Sequence, residues 1–425
     1  MSFDGVNDYV SLTNWEWGGT TSFEVYVKYD SFTDYSRVFG FGSGSEDNNV
    51  LLCNEGSTST IDFEVRQGST GKWFVQGNFD SSTWTHIVAT VSGTTMKVYK
   101  NGVLVGTKTD GHDPLVMTRE FHYIGATAWG GTTGYIDGTI AFLKIWHGVE
   151  LSQDDVTTLH TATTRYALDK LYQSTDGDSW TNKGNWMSST ISVCSWYGIM
   201  CNENGEITKI DLHDNNLRGT VPAELGALGT LTELTLYSNQ LSDEIPSELS
   251  SLTSLTSFHL GDNQLTGSIP SELSSLTSLT YFDLGDNELT GSIPSWIGTF
   301  SSLTNFNLRE NELTGSIPSE LSSLTSLTYF NLGDNQLTGS IPSWIGTFTS
   351  LTTLALYNNK FSGEIPSELS SLTSLAIFNL DYNRLTGSIP SELSSLASLT
   401  NLQLCCNQLT GSVPPWIGSF TSLTF

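Results

Sequence analysis

The sequence predicts an all-β sandwich followed by an α/β-type solenoid, with a parallel sheet on the concave side and irregular, 3-10-like backbone on the convex side. Three observations carry this. Asn recurs with a step of 24 throughout, as Asn215, Asn239, Asn263, Asn287, Asn311, Asn335, Asn359, Asn383 and Asn407. Pro recurs at 222, 246, 270, 294, 318, 342, 366, 390 and 414 with the same step. Residues 1–163 show no such period. They alternate apolar and polar side chains in short runs bounded by Gly, Asn and Asp, as half-buried antiparallel strands do.

The strand runs of the first part are SFEVYVKY, RVFGFG, DFEVRQG, WTHIVATVSG, TMKVYKNGVLVGT, FHYIGA and GTIAFLKIWHGVEL. Asn101-Gly102 falls between two of them, a strong hairpin signal. FDGVNDYV near the start, SFEVYVK, WTHIVATVSGTTMKVYKNGVLVG, YIGA and the closing YIDGTIAFLKIWHGVELS follow the order of a laminin-G-like, concanavalin-type jelly roll. The resemblance covers residues 1–163 and implies a jelly-roll sandwich that binds sugars, proteins or glycosaminoglycans, sometimes through calcium. Where the family carries an acidic pair, this chain has Ala141-Phe142.

One repeat unit reads LTSLTYFDLGDNELTGSIPSELSS, and nine of 24 residues run from Ile207 to Ser422, with Leu423–Phe425 starting a tenth. Alternation around Leu234 and Leu236 predicts a half-buried strand. Stacked copies give a parallel sheet with strands ~4.8 Å apart. The Asn column, Asn215 to Asn407, sits where the chain leaves that strand. Its amides can satisfy backbone groups of the turn, which makes it a candidate structural ladder. The L-x-G-x-I-P stretch predicts a second short strand that Pro terminates. The unit resembles the plant-type leucine-rich repeat, L-x-x-L-x-x-L-x-L-x-x-N-x-L-x-G-x-I-P. Upstream, ALDKLYQSTDGDSWTNKGNWMSSTISVCSWYGIMC (167–201) resembles the N-terminal cap of such repeats, where W-x-G-x-x-C follows a first Cys. That resemblance implies that Trp180, Trp186 and Trp196 cover the open end of the core and that Cys194 and Cys201 form a disulfide. The expected domains are a sandwich over 1–163, a cap over 164–206 and repeats over 207–425.

Lys plus Arg number 17 against 44 Asp plus Glu, a net charge of −27. This argues against general nucleic-acid binding, which draws on clustered basic residues, and against an anionic membrane surface. Charged residues make up 14% where an ordinary domain has ~25%. A surface of Ser, Thr and Asn suits an extracellular or cell-surface setting. No apolar run reaches the ~18 residues of a membrane helix. Met1–Val10 has no basic n-region or apolar h-region, and the tenth repeat is cut short. The expectation is a fragment of a receptor-like protein whose signal, anchor or further domains lie outside it. No C-x-x-C pair supports zinc or thioredoxin chemistry.

Catalytic patterns are missing. The seven His show no H-E-x-x-H spacing, and there is no G-x-S-x-G or P-loop. The carboxylate strings of sandwich glycosidases, E-x-D-x-x-E and E-x-D-x-E, do not occur either. His86, with no partner evident in WTHIV, reads as structural. The sequence therefore predicts a non-catalytic recognition or adhesion protein. A glycan or matrix protein would bind the sandwich, and a protein or peptide the solenoid. A glycan-hydrolysing enzyme with accessory repeats is the alternative.

The concave strands point outward at positions that vary while the scaffold leucines repeat. The candidate ligand-binding residues are Tyr237, His259, Tyr281, Asp283, Asn307, Arg309, Tyr329, Asn331, Tyr357 and Asn379, because exposed Tyr beside Asn, Asp and Arg is the composition of a recognition surface. Asp262, Asp286, Glu310 and Asp334 form an acidic column. Its neighbours repel by about 0.9 kcal/mol in water, so the column is either a calcium-binding edge or an acidic rim that favours turns. No other cofactor is implied. The T-G-S of LTGSIP recurs at 266–268, 290–292, 314–316, 338–340, 386–388 and 410–412. If Thr and Ser share one strand face, they form a hydroxyl array like those of ice-binding solenoids, which gives a third reading as a structural or ice-binding surface protein. Residues 270–317 and 318–365 are near copies, and no N-x-S/T sequon occurs.

Overall fold

The computed structural model describes residues 1–43, 48–79, 84–126, 134–420 and 422–423. Thr424 and Phe425, with which the tenth repeat continues, lie outside the described residues. The chain forms two compact units, Met1–Tyr166 and Ala167–Phe425.

The first unit is a sandwich of antiparallel strands: β1 (Ser2–Asp4), β2 (Val10–Ser11), β3 (Glu16–Trp17), β4 (Thr21–Ser31), β5 (Arg37–Gly42), β6 (Val50–Asn54), β7 (Thr60–Gln67), β8 (Thr70–Asn78), β9 (Trp84–Ser92), β10 (Thr95–Lys100), β11 (Val103–Lys108), β12 (Met117–Thr118), β13 (Phe121–Ile124) and β14 (Asp137–His147). One sheet has the order β1-β14-β4-β9-β10-β11, the other β2-β13-β5-β6-β7-β8, and β12 pairs with β3. Alternation sends Phe23, Val25 and Val27 inward from β4 to meet Phe39, Phe41, Phe63 and Val65 of the second sheet. Asn101 and Gly102, with φ of 49° and 81°, make the turn between β10 and β11. Positive φ at both positions matches the twist of the flanking strands.

Three sandwich details bear on the sequence reading. His86 does have a partner: its Nε2 lies 2.9 Å from Glu24 Oε1, both side chains are 1% exposed, and Lys144 reaches Glu24 at 3.3 Å. The cross-strand register of β4 and β9 makes this pair, which no local motif announces. Ala141 falls at a register shift between Ile140 and Phe142, a bulge at the place where the acidic pair is missing. Arg119, fully buried, donates to the carbonyls of Trp17 and Leu115. The nearby His122 Nε2 accepts from Trp17 Nε1–H at 3.1 Å.

Helix α1 (Gln153–Ser174) starts on a capping box, with the Ser152 hydroxyl accepting from Asp155 N–H and the Asp155 carboxylate from Ser152 N–H. Val156 packs with Val88 and Tyr99 of the sandwich, whereas Ala167, Leu168 and Leu171 join the solenoid core. The division between the units thus falls inside this helix, a few residues beyond the expected boundary.

In the second unit, Ile199–Cys201 runs antiparallel to Ile207–Asp211, and from there a parallel sheet continues rung by rung to Asn401–Gln403. Inside it Phe258, Phe282, Phe306 and Phe330 stack with centroids 5.7–6.1 Å apart. The convex side is a series of short 3-10 turns, each preceded by a Pro of the 24-residue column. Trp180, Trp186 and Trp196 pack on one another at the open end, and Cys194 and Cys201 are bonded.

The Asn column forms a ladder whose members differ by position. In the middle of the stack, Asn335 Oδ1 accepts from Leu313 N–H, and its Nδ2 donates to the carbonyls of Leu308, Leu332 and Gly333. Asn239, Asn263, Asn287, Asn311, Asn359, Asn383 and Asn407 repeat this bonding. Each accepts at Oδ1 from the backbone N–H 22 residues earlier. Each also donates from Nδ2 to the carbonyl 27 residues earlier. Asn215 departs from the pattern, because no repeat precedes it. It is fully buried, accepts from Asn182 N–H at 2.6 Å and donates to the Asn182 carbonyl at 2.9 Å, so it ties the first rung to the cap. Burial also varies along the column. Asn311, Asn335, Asn359 and Asn383 are buried, whereas Asn239, Asn263, Asn287 and Asn407 are half-buried.

A second ladder follows the same step. Thr256, Thr280, Thr304, Thr328 and Thr352 each donate from Oγ1 to the backbone carbonyl one repeat earlier. The short strands after L-x-G are regular on only some rungs. From Gly267 onward each Gly there has φ between 73° and 86°, as at Gly291, Gly315 and Gly339. The T-G-S triplet is therefore turned at its centre, and the expectation that Thr and Ser share one flat strand face does not hold.

Candidate functional site

The concave sheet brings the variable residues into three columns. Strand pairing aligns Ser257, Tyr281, Asn305, Tyr329 and Thr353 in one and His259, Asp283, Asn307, Asn331 and Ala355 in the next. The third follows where the chain leaves the strand, with Tyr237, Arg309 and Tyr357 separated by glycines. Parallel in-register stacking explains the arrangement, since residues 24 apart become immediate neighbours.

At the N-terminal end the columns meet as an aromatic ladder. His213 stacks on Tyr237 at 4.8 Å, Tyr237 on His259 at 4.2 Å, and His259 meets Tyr281 at 5.3 Å. Asp211 holds His213 Nδ1 at 2.5 Å, and Lys209 bridges Asp211 and Glu233. Burial opposes ionisation of Asp211, but the bonds from His213 and Lys209 outweigh it and keep its carboxyl below the usual range. Burial lowers the pKa of His259, and His213 adds to the effect while Asp283 opposes it. His213 lies outside the candidate set read from the sequence, although its position in the outward series identifies it.

The middle of the face is more closed than its composition suggests. Asp283, Asn307 and Asn331 are buried. Asn307 Nδ2 donates to Asp283 Oδ1, Tyr281 meets Asp283 at 3.2 Å, and Asn331 donates to the Tyr329 hydroxyl. Their carbonyl or carboxylate oxygens accept from the backbone at Arg309, Gly285 and Gly333. These three residues support the face, and the tyrosines beside them present it. Burial, with Asp334 nearby, pushes the Tyr357 phenol up to about 12, so it remains a neutral donor. Asn379 accepts from Asp381 N–H.

The acidic column behaves as a turn column. Asp262, Asp286, Glu310 and Asp334 all have positive φ, between 48° and 55°, a conformation Asp tolerates better than most residues. Arg309 grips Asp286 at 2.7 Å and reaches Glu310 at 3.8 Å. Ser238 bonds Asp262, and Asn358 bonds Asp334. A hydrogen bond with Asp286, then burial, raises the Glu310 carboxyl. Among the described residues, no three His, Cys, Asp or Glu converge to hold a metal ion.

A jelly-roll sandwich and a capped, parallel-stranded repeat solenoid with a variable inner face define a protein of two linked folds. Residues 4–157 match the concanavalin A-like lectin/glucanases superfamily, 165–202 the leucine rich repeat N-terminal domain, and 230–252, 254–276, 277–337, 350–372, 374–396 and 398–420 leucine rich repeats. The chain thus joins a concanavalin A-like domain to a leucine-rich-repeat solenoid. Leucine-rich repeat protein 1 of Arabidopsis thaliana is 39% identical over 44 residues, 10% of this chain and 20% of its own length. The ectodomain of the Arabidopsis receptor kinase GASSHO1/SCHENGEN3, solved with CASPARIAN STRIP INTEGRITY FACTOR 2, is similar at 34% identity and TM-score 0.55, covering 61% of this chain and 34% of that one. The Arabidopsis HAESA ectodomain with an IDA peptide hormone is similar at 32% identity and TM-score 0.55, covering 62% and 44%. A plant ice-binding protein is similar at 29% identity and TM-score 0.52, covering 60% of this chain and 89% of that one. The chain therefore spans less than half the length of the curated relative and of the two receptor ectodomains. No helix among the described residues is long and apolar enough to cross a membrane.

Proposed function

We propose that this is a non-catalytic, extracellular recognition protein whose solenoid docks an extended peptide or protein segment along its concave sheet. The observation that carries the reading is the continuous ladder His213–Tyr237–His259–Tyr281, extended by Arg309 and Tyr357. It is a rigid, half-exposed aromatic and polar strip on a scaffold built of repeats. Such side chains supply contact area at low entropic cost. The solved HAESA ectodomain that resembles this unit holds a peptide hormone ligand, which supports the same use here. The sandwich is the second recognition module, for a glycan or a matrix protein. Selection of displayed random peptides against the full chain tests the solenoid reading. Enriched peptides should lose at least about tenfold in affinity on the Tyr237→Ala, Tyr357→Ala double variant. Failure to enrich, or equal binding to the variant, counts against it.

A second reading is a surface that orders water. Thr290, Ser292, Thr314, Ser316, Thr338 and Ser340 are exposed hydroxyls on consecutive rungs, and the likeness to a plant ice-binding protein favours it. Thermal hysteresis of the full chain decides: none at high protein concentration removes this reading.

A further inference from the structure

The outer face of the sandwich's second sheet carries a cleft that the solenoid reading does not use. Cross-strand register builds it. Arg37 on β5 pairs with Cys53 on β6, Cys53 with Asp62 on β7, and Asp62 with Val75 on β8. The next row is Leu51, Glu64 and Trp73. Because strand side chains alternate, Phe63 and Val65 enter the core while Asp62, Glu64 and Arg66 face the cleft. Tyr35 and Glu55 complete the lining of a hollow of about 360 Å³, within the range of small-molecule sites, ~300–1,000 Å³.

The charged groups in the cleft are unequally satisfied. Glu64 accepts from Arg66 Nε at 2.6 Å. Arg37 donates to the Tyr35 carbonyl at 2.7 Å. Asp62, 8% exposed, sits between Cys53 and Val75. Its Oδ2 has only the Cys53 thiol at 3.9 Å, and its Oδ1 has no hydrogen-bond partner among the described residues. Burial, then Glu64 and Glu55, pushes this carboxyl up to about 7 against the pull of Arg37. A buried acceptor without a donor costs free energy that a ligand N–H recovers. At the mouth, Trp73 is 54% and Tyr35 42% exposed, and aromatic faces attract cations.

We propose that this cleft binds a primary ammonium group, which donates to the Asp62 carboxylate within the Trp73 and Tyr35 rim. Both arginines are already engaged, so the ligand supplies the missing positive charge. The ammonium replaces the Asp62 proton, which leaves to solvent, and total charge is conserved. The charged or titratable groups facing Asp62 are Tyr35 just before β5, Arg37 from β5, Cys53 from β6, Glu55 just after it, and Glu64 and Arg66 from β7. Strand β8 contributes Trp73 and Val75. A hollow of about 570 Å³ shares Glu55, Trp73 and Val75 and extends to Thr107 and Asp110, leaving room for the remainder of a lysine-bearing chain.

Calorimetry on the full chain tests this with two probes, n-butylamine and the acetylated, amidated peptide Gly-Lys-Gly, from about pH 5 to about pH 8. Affinity should rise about tenfold per pH unit and level off near pH 7, with about one proton released per ligand in the acidic range. Binding of both probes identifies a free amine as sufficient, and binding of the peptide alone identifies a protein lysine. Tetramethylammonium, which has no N–H, should bind at least about tenfold more weakly. The Asp62→Asn variant, with near-UV dichroism matching the parent, should lose amine binding. The proposal is overturned by no saturable heat for either amine at pH 8, by affinity that peaks in acid, by retained binding in a folded Asp62→Asn protein, or by a neutral oligosaccharide displacing the amine.

Discussion

His259 lies against Tyr237 with ring centroids 4.2 Å apart and planes 17° apart, and the other face of Tyr237 is covered by His213. Residues 46 positions apart in the chain, at 213 and 259, thus become the two sides of one stacked unit. The arrangement fixes the ring orientations before any ligand arrives, which reduces the ordering cost of binding.

Tyr237→Ala removes both stacks while leaving the leucine core intact. Affinity for a peptide selected on the concave face should fall by about 1–3 kcal/mol. The melting temperature should barely move, because the ring is half-exposed. Calorimetric titration beside a thermal melt checks both parts.

Gly333 shapes the other end of the face. A Cβ there would lie 2.3 Å from the Tyr357 ring, and no left-handed backbone bars alanine at this position. Gly333→Ala should therefore displace Tyr357 and weaken a ligand that spans it by about tenfold, with little loss of stability. Parallel affinity measurements on Gly333→Ala and Tyr357→Ala should give matching losses.

The Asn ladder is a stability element. Asn335→Ala strips four backbone groups of their side-chain partner. At about 1–3 kcal/mol per unsatisfied buried group, partly relieved by water, about 3–5 kcal/mol is expected. Asn407 near the end of the stack is half-exposed, and its replacement should cost less than half as much. Urea unfolding of the two variants makes the comparison.

Two buried groups in the sandwich give opposite pH slopes. Burial, then Arg119, lowers His122 to about 4. The unfolded chain takes up that proton first, so stability is full above about pH 6.5 and declines toward pH 4, by about 3 kcal/mol. Burial, then Glu64, raises Asp62 to about 7 from 3.8. Here the folded state holds the proton more tightly, so stability is lost as pH rises from about 4 to about 7, by about 4 kcal/mol. The two windows overlap, so the slopes nearly cancel and the urea midpoint of the sandwich should change little between about pH 4 and about pH 6.5. His122→Gln should expose the Asp62 slope, with stability falling as pH rises, and Asp62→Asn the His122 slope, with stability rising as pH rises.

The sequence by itself determined the repeat length, the parallel stack, the Asn and Pro columns, the capping segment and the alternation of the sandwich strands. Each is a local or strictly periodic constraint, so a single stretch of chain or a fixed step of 24 exposes it. Tertiary structure alone decided the rest. The partnership of His86 with Glu24, the tie from Asn215 to Asn182, the closed network of Asp283, Asn307 and Asn331, the neutralisation of Asp286 by Arg309, and the cleft around Asp62 all depend on side chains meeting across the fold. Whether a polar residue on a strand is available or already satisfied depends on its neighbours in space, and a one-dimensional pattern does not encode those distances or the burial that sets each group's charge.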